Sequence, residues 1–205
     1  MIKNIIFDFG GVIYNIDHGL SQKAFEDLGA INFKQLYGHQ VQTGLFERLE
    51  RGEIQAQDFR NSLQEILPVN ITNQQIDDAW NALLIGFDKR KLELLKAIGK
   101  NYRIFLLSNT NIIHYNRFIA ELNIYTDFRS LFEDVWLSHE KKMRKPEKEF
   151  YLKLMEKHLL LAKETLFIDD LDINIESAKK LGIQTYYLNN GQSMLDLFYN
   201  NKLII

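Results

Sequence analysis

Four short stretches carry residues whose types could do chemistry together. Ile5-Ile6-Phe7 runs into Asp8-Phe9-Gly10-Gly11, an apolar run that stops at a carboxylate followed by two glycines. Arg103 to Leu107 runs into Ser108-Asn109-Thr110-Asn111, a hydroxyl and a series of N–H groups leading into a helix start. Met143-Arg144-Lys145-Pro146-Glu147 sets a lysine just before a proline placed to begin a helix. Leu166-Phe167-Ile168 ends in the adjacent acids Asp169 and Asp170, and the amide of Asn174 follows on the next turn.

Asp8 would end a strand buried on both faces, at the sheet edge where open α/β proteins bind ligands, and Gly10-Gly11 permits a sharp turn and close backbone approach. The Ser108 stretch reads either as an anion cradle or as an N-cap cluster, because the same residue types serve both. Lys145 reads either as a solvated surface lysine or as the cation of an anion site. Adjacent acids repel unless a cation or a proton lies between them, so Asp169 and Asp170 point to metal binding.

The elements that would position these residues follow from periodicity. From about residue 16 to residue 85 the pattern is helical, with no convincing strand, and Thr72-Asn73-Gln74-Gln75 reads as a capping box after the stop at Pro68. From about residue 88 helices and short apolar strands alternate: helix 89–98, strand 103–107, helix 111–122, strand 134–137. A helix opened by Pro146, strand 165–169, helix 173–181 and strand 184–188 follow. Such alternation implies right-handed crossovers and a parallel sheet, into which the N-terminal strand must pair to satisfy its backbone. Met194 to Phe198 fits a short final helix, and the apolar end Leu203-Ile204-Ile205 must pack on the sheet or on a partner subunit.

Composition excludes several function classes. The 205 residues are 46% hydrophobic with a net charge of -2, which suits an ordinary globular chain and offers no basic footprint for nucleic acid or an anionic membrane. Cysteine is absent, so disulfides and thiol chemistry are excluded. The five histidines, at 18, 39, 114, 139 and 158, lack zinc-ligand spacing. Asp8-Phe9-Gly10 matches a kinase triplet by coincidence, since no glycine-rich loop or strand lysine can precede it. The first residues form too short an apolar run for a signal peptide or membrane span, and a cytoplasmic location is the default expectation.

Asp8, Ser108, Lys145 and the Asp169/Asp170 pair, in that order at strand ends, resemble the four motifs of the haloacid dehalogenase-like hydrolase superfamily. The resemblance covers essentially the whole chain. It implies an α/β, Rossmann-like three-layer core with a parallel sheet over residues 1–15 and 88–205, and a small all-helical C1 cap over 16–87 inserted after strand one. LSNTN at 107–111, LSHE at 137–140, MRKPE at 143–147 and ERGEI at 50–54 look most like the glucose-1-phosphate phosphatase branch, and more distantly like the phosphatase domain of soluble epoxide hydrolase.

The resemblance implies that Asp8 attacks the phosphorus of a phosphomonoester and that water hydrolyses the aspartyl-phosphate. Mg²⁺ would be held by Asp8, the Gly10 carbonyl and Asp170, with Asp169 and Asn174 supporting those ligands. Ser108 and the Asn109 N–H would bind phosphoryl oxygens, and Lys145 would neutralise charge between phosphate and Asp8. Gly10 is a departure, because most phosphatases of the superfamily carry a second aspartate there as general acid and base, a contribution commonly worth about 10² to 10⁴ in rate. His18 or a metal-bound water is the nearby substitute, and slow breakdown of the intermediate is expected. The implied substrate is a small soluble phosphorylated metabolite such as a sugar phosphate, handled by a monomer or homodimer. A phosphate- and Mg²⁺-binding module without turnover and a 2-haloacid dehalogenase are the alternatives. The Phe46 to Ile54 stretch reads either as a salt-bridged helix face or as polar groups turned toward the site.

Overall fold

The computed structural model describes residues 1–30, 44–189 and 191–205. Its centre is β1 (Asn4–Phe7), a strand buried at every position and hydrogen-bonded in parallel on both sides. After it come β2 (Tyr14–Ile16), then α1 (His18–Asp27), α2 (Gly44–Glu50), α3 (Ala56–Gln64), α4 (Asn73–Asn81) and β3 (Leu84–Phe87). The alternating part holds α5 (Lys89–Ile98), β4 (Arg103–Ser108), α6 (Ile112–Leu122), β5 (Asp134–Leu137), α7 (Ser138–Lys141) and α8 (Lys148–His158). β6 (Thr165–Asp169), α9 (Asp172–Lys180), β7 (Gln184–Tyr187) and a terminal ribbon of β8 (Phe198–Tyr199) and β9 (Lys202–Leu203) complete the chain.

The main sheet is parallel in the order β5-β4-β1-β6-β7, so strand order reverses at β1. Strand side chains alternate between two faces, and the burial follows that period. Ile5, Phe7, Ile104 and Leu106 join Leu92, Leu95, Phe118 and Leu122 of α5 and α6 on one face. Ile6, Phe105, Leu107 and Phe167 join Phe150, Leu154, Ile175 and Ala178 of α8 and α9 on the other. These are three layers, as the family resemblance implies.

Helices α1 to α4 bury their own cluster, in which Phe25, Phe46, Phe59 and Trp80 meet. Ile113, at the start of α6, belongs to the same cluster and docks that layer onto the sheet's ligand edge. The expected capping box forms, with Thr72 and Gln75 satisfying each other's backbone N–H, a device worth about 1 kcal/mol. The part of the helical expectation over residues 31–43, with His39, lies outside the described residues.

Three expectations need correction. The 16–85 stretch is not free of strands: β2 and β3 pair antiparallel, Tyr14 opposite Phe87, and tie the two ends of the helical block together. Both are too short for a period-two pattern, and Gly86 at φ +128° breaks the run. The helix after Pro146 begins at Lys148, because Glu147 still turns back to the Arg144 carbonyl. At the C-terminus Met194–Leu197 is a 3₁₀ turn rather than a helix, and Phe198 belongs to β8; of the apolar end, Leu203 packs on the core, one of the two placements expected, and Ile204 and Ile205 are exposed in the single chain.

Candidate active site

Sheet register alone brings the strand-end residues together. Phe7 pairs with Ile168 and with Leu106, so Asp8 emerges beside Asp169, with Ser108 at the end of the strand on the other side. The Asp8 N–H donates to the Ile168 carbonyl at 2.9 Å, and the Phe9 N–H donates to Asp8 Oδ1 at 2.6 Å. A tight loop follows. Gly11 sits at φ +73°, and a Cβ there would lie 2.0 Å from Asp170 Oδ2. Lys91 of α5 is buried beneath the loop and donates to the Val12 carbonyl at 2.8 Å.

Lys145 is 1% exposed. Its Nζ lies 2.7 Å from Asp8 Oδ1 and 2.6 Å from Asp169 Oδ2, bridging two strand ends. A loop lysine needs scaffolding to reach so far into the site, and the scaffold is Asn109. Its Oδ1 accepts from the Lys145 N–H at 2.8 Å and its Nδ2 donates to the Lys145 carbonyl at 2.9 Å. Ser138, the first residue of α7, locks the Asn109 loop, accepting from the Thr110 N–H at 2.9 Å and donating to its carbonyl at 2.8 Å. Asp169 is held by the Leu171 N–H at 2.8 Å and by Asn174 Nδ2 at 3.1 Å to each oxygen.

The electrostatics are those of crowded acids around one ammonium. Burial, with Asp169 and Asp170 adding to it, pushes the Asp8 carboxyl up to about 8 against the pull of Lys145. Burial and then Asp169 push Asp170 up to about 6. Burial alone would lower Lys145, but Asp169 and Asp8 together outweigh it and hold the ammonium charged. Asp8, Asp169 and Asp170 each place a carboxylate oxygen within 4.8 Å of the others. Hard oxygen donors at that spacing, with more negative than positive charge, fit a divalent oxygen-seeking cation.

A cavity of about 70 Å³ separates this edge from the helical layer, with Gly10, Ser108 and Asn109 on one wall and His18, Glu50 and Trp80 on the other. Ion pairs join the two layers. Arg144, one residue before Lys145, reaches Glu50 Oε2 at 3.1 Å and Glu47 at 3.9 Å. Arg51 pairs with Glu47 at 2.8 Å and also with Glu147. The 46–54 stretch therefore does both things its composition allowed.

The family model for haloacid dehalogenase-like hydrolases matches residues 2–182. The chain belongs to that family. A D-ribitol-5-phosphate phosphatase of Bacteroides thetaiotaomicron is 35% identical over 199 residues, covering 93% of this chain and 94% of that one. A sesquiterpene phosphatase of Aspergillus oryzae is 25% identical, covering 92% of this chain and 90% of its own. Among solved structures, a wild-type HAD-family enzyme of Bacteroides thetaiotaomicron in complex with magnesium and inorganic phosphate superposes with a TM-score of 0.89. It shares 36% identity, over 97% of this chain and 100% of that one.

In this haloacid dehalogenase-like hydrolase, Asp8, Gly10, Ser108, Asn109, Lys145, Asp169, Asp170 and Asn174 all gather at one sheet edge, as the motif order implies. Sequence reasoning missed what holds them there: the Asn109 side chain on the Lys145 backbone, the Ser138 lock, and the Arg144–Glu50 pair. Asn109 and Ser138 fall inside LSNTN and LSHE, and Glu50 and Arg144 inside ERGEI and MRKPE, so the motifs marked the residues but not their partners. No helix among the described residues is long and apolar enough to cross a membrane.

Proposed function

We propose that this chain is a magnesium-dependent phosphomonoesterase of a small phosphorylated polyol or sugar, working through an aspartyl-phosphate on Asp8. The observation that carries the reading is the buried ammonium of Lys145 shared by Asp8 and Asp169 inside a three-carboxylate cluster. The phosphatase names of the relatives and the magnesium and phosphate in the solved neighbour support it.

The Asp8 carboxylate attacks phosphorus in line, the ester P–O bond breaks, and water then displaces the Asp8 carboxylate from phosphorus to release phosphate. Ser108 and the Asn109 N–H bind phosphoryl oxygens, and Lys145 offsets the charge that attack of one anion on another would build up. Asp169 holds Lys145 on target. Asp8, the Gly10 carbonyl and Asp170 would hold the magnesium ion, which supplies further neutralisation of the phosphoryl charge. Gly10 leaves no acid beside the leaving oxygen, and His18 on the cavity wall supplies a ring that can move a proton there.

Helices α1 to α4 act as a cap over residues 16–87, on the core of 1–15 and 88–205. The cavity of about 70 Å³ left between the layers is far below the roughly 300 Å³ or more of a typical small-molecule pocket, so the cap must part from the core to admit substrate. A cytoplasmic monomer or homodimer fits a phosphorylated substrate, whose charge keeps it in the compartment that made it. The test is phosphate release from a panel of phosphomonoesters with and without Mg²⁺, beside Asp8→Asn. Mg²⁺-dependent release lost in the variant supports the reading. Phosphate and Mg²⁺ raising the melting temperature with no release from any ester would replace it with a binding module.

A further inference from the structure

Glu50 is a carboxylate that the proposed chemistry does not use. It ends α2 and lines the cavity opposite Gly10, Ser108 and Asn109. Its side chain is 16% exposed, and Arg144 lies 3.1 Å from Oε2. That approach supplies charge but no hydrogen bond: Oε2 is buried without a hydrogen-bond partner. Buried polar atoms in folded proteins are nearly always satisfied, by protein, by water or by a ligand. Here an acceptor with spare capacity lies across a small cavity from the groups assigned to the phosphoryl end.

We propose that Glu50 determines specificity, accepting hydrogen bonds from hydroxyl groups on the carbons of the substrate beyond the phosphate ester. The inference rests on the phosphomonoesterase reading and narrows it to polyhydroxylated phosphates. A neutral donor suits the position, because Arg144 already balances the Glu50 charge and a substrate ammonium would leave a buried excess. Elsewhere on the far wall Leu83 and Leu84 are apolar and would favour a bare hydrocarbon chain, whereas Glu50 is the one carboxylate acceptor among the described residues that line the cavity. Placement on the cap also means that the contact forms only when the cap is closed, so correct substrate completes the site.

The test compares ribitol 5-phosphate with pentyl phosphate, equal in chain length and different in hydroxyls, on wild type, Glu50→Gln and Glu50→Ala. The preference, as the ratio of kcat/KM values, is expected to fall at least about 10-fold in Glu50→Ala, the scale of one hydrogen bond to a charged acceptor. The change should sit mainly in KM for ribitol 5-phosphate, with Glu50→Gln intermediate, since its amide oxygen still accepts. A ratio is insensitive to partial misfolding. An unchanged ratio, a wild type that prefers pentyl phosphate, or a preference for 5-aminopentyl phosphate over ribitol 5-phosphate would overturn the assignment. Calorimetric binding of the same esters to Asp8→Asn, with and without Glu50→Ala, reads the same discrimination without turnover. Failure of all esters to be hydrolysed would then count against the phosphatase reading, and loss of binding discrimination would still decide the role of Glu50.

Discussion

The Asn109 side chain grips the backbone of Lys145 at both its N–H, at 2.8 Å, and its carbonyl, at 2.9 Å. The strand end that supplies the proposed phosphate contacts thus also sets the position of the lysine between Asp8 and Asp169. Asn109→Ala releases that grip while touching none of the carboxylates. The expected result is a fall in kcat on the order of 10²-fold, as for a displacement of about 1 Å in a catalytic group. The melting temperature should change little by comparison. Asn109→Asp, which keeps the acceptor and loses the donor, should not restore the rate. Steady-state kinetics beside thermal melts check this, and wild-type kcat in Asn109→Ala would remove Asn109 from the positioning of Lys145.

Gly11 is demanded by its neighbour as well as by its own conformation. At φ +73° any other residue is strained, and a methyl group would fall 2.0 Å from Asp170 Oδ2. Gly11→Ala is expected to push Asp170 out of the cluster and raise the Mg²⁺ concentration for half-maximal activity about 10- to 100-fold. Gly191 is the control, with φ +89° and nothing within 4 Å of an added Cβ. Its alanine variant should share the backbone strain and leave the Mg²⁺ requirement alone. A metal titration of both variants separates the clash from the strain.

The strand ends were legible because their signals are local. Ile5-Ile6-Phe7 before Asp8 and Leu166-Phe167-Ile168 before Asp169 are apolar runs that end in charge, and a parallel sheet brings such ends to one edge whatever the loops do. Asn109 was read for its N–H groups, because an Asn after a strand looks the same in sequence whether it caps a helix or reaches a loop thirty-six residues on. Gly86 hid β3, and the pairing of Arg144 with Glu50 spans two layers whose docking no periodicity encodes. Motif order told which residues would meet. The contacts that hold them depend on tertiary packing.

His114 makes the fold acid-sensitive. It is buried beside Trp80, whose carbonyl lies 3.1 Å from Nε2, and burial pushes its pKa down to about 3. Between that value and the ordinary one near 6.5, the unfolded chain binds a proton that the native state refuses. The stability associated with a neutral His114 is therefore complete above about pH 6.5 and is lost as pH falls toward 3, at up to about 1.4 kcal/mol per pH unit. Urea unfolding at pH 7, 6 and 5 should show a shallower acid slope in His114→Gln than in wild type. Asp8 and Asp170, whose raised values act in the opposite sense, are common to both proteins, so the difference isolates the imidazole. Equal slopes would mean that His114 takes up its proton as readily in the folded chain as in the unfolded one.

The central claim is that Asp8 forms a covalent phosphoryl intermediate with no second acid at position 10 to speed its breakdown. The direct measurement is an acid quench of enzyme turning over ribitol 5-phosphate with Mg²⁺, followed by mass analysis of the peptide that contains Asp8. A phosphoryl adduct on Asp8 that accumulates within the first turnover, decays at the steady-state rate and is absent from Asp8→Asn is the expected result. Rapid phosphate release with no adduct at any quench time, or release that survives in Asp8→Asn, would contradict the account.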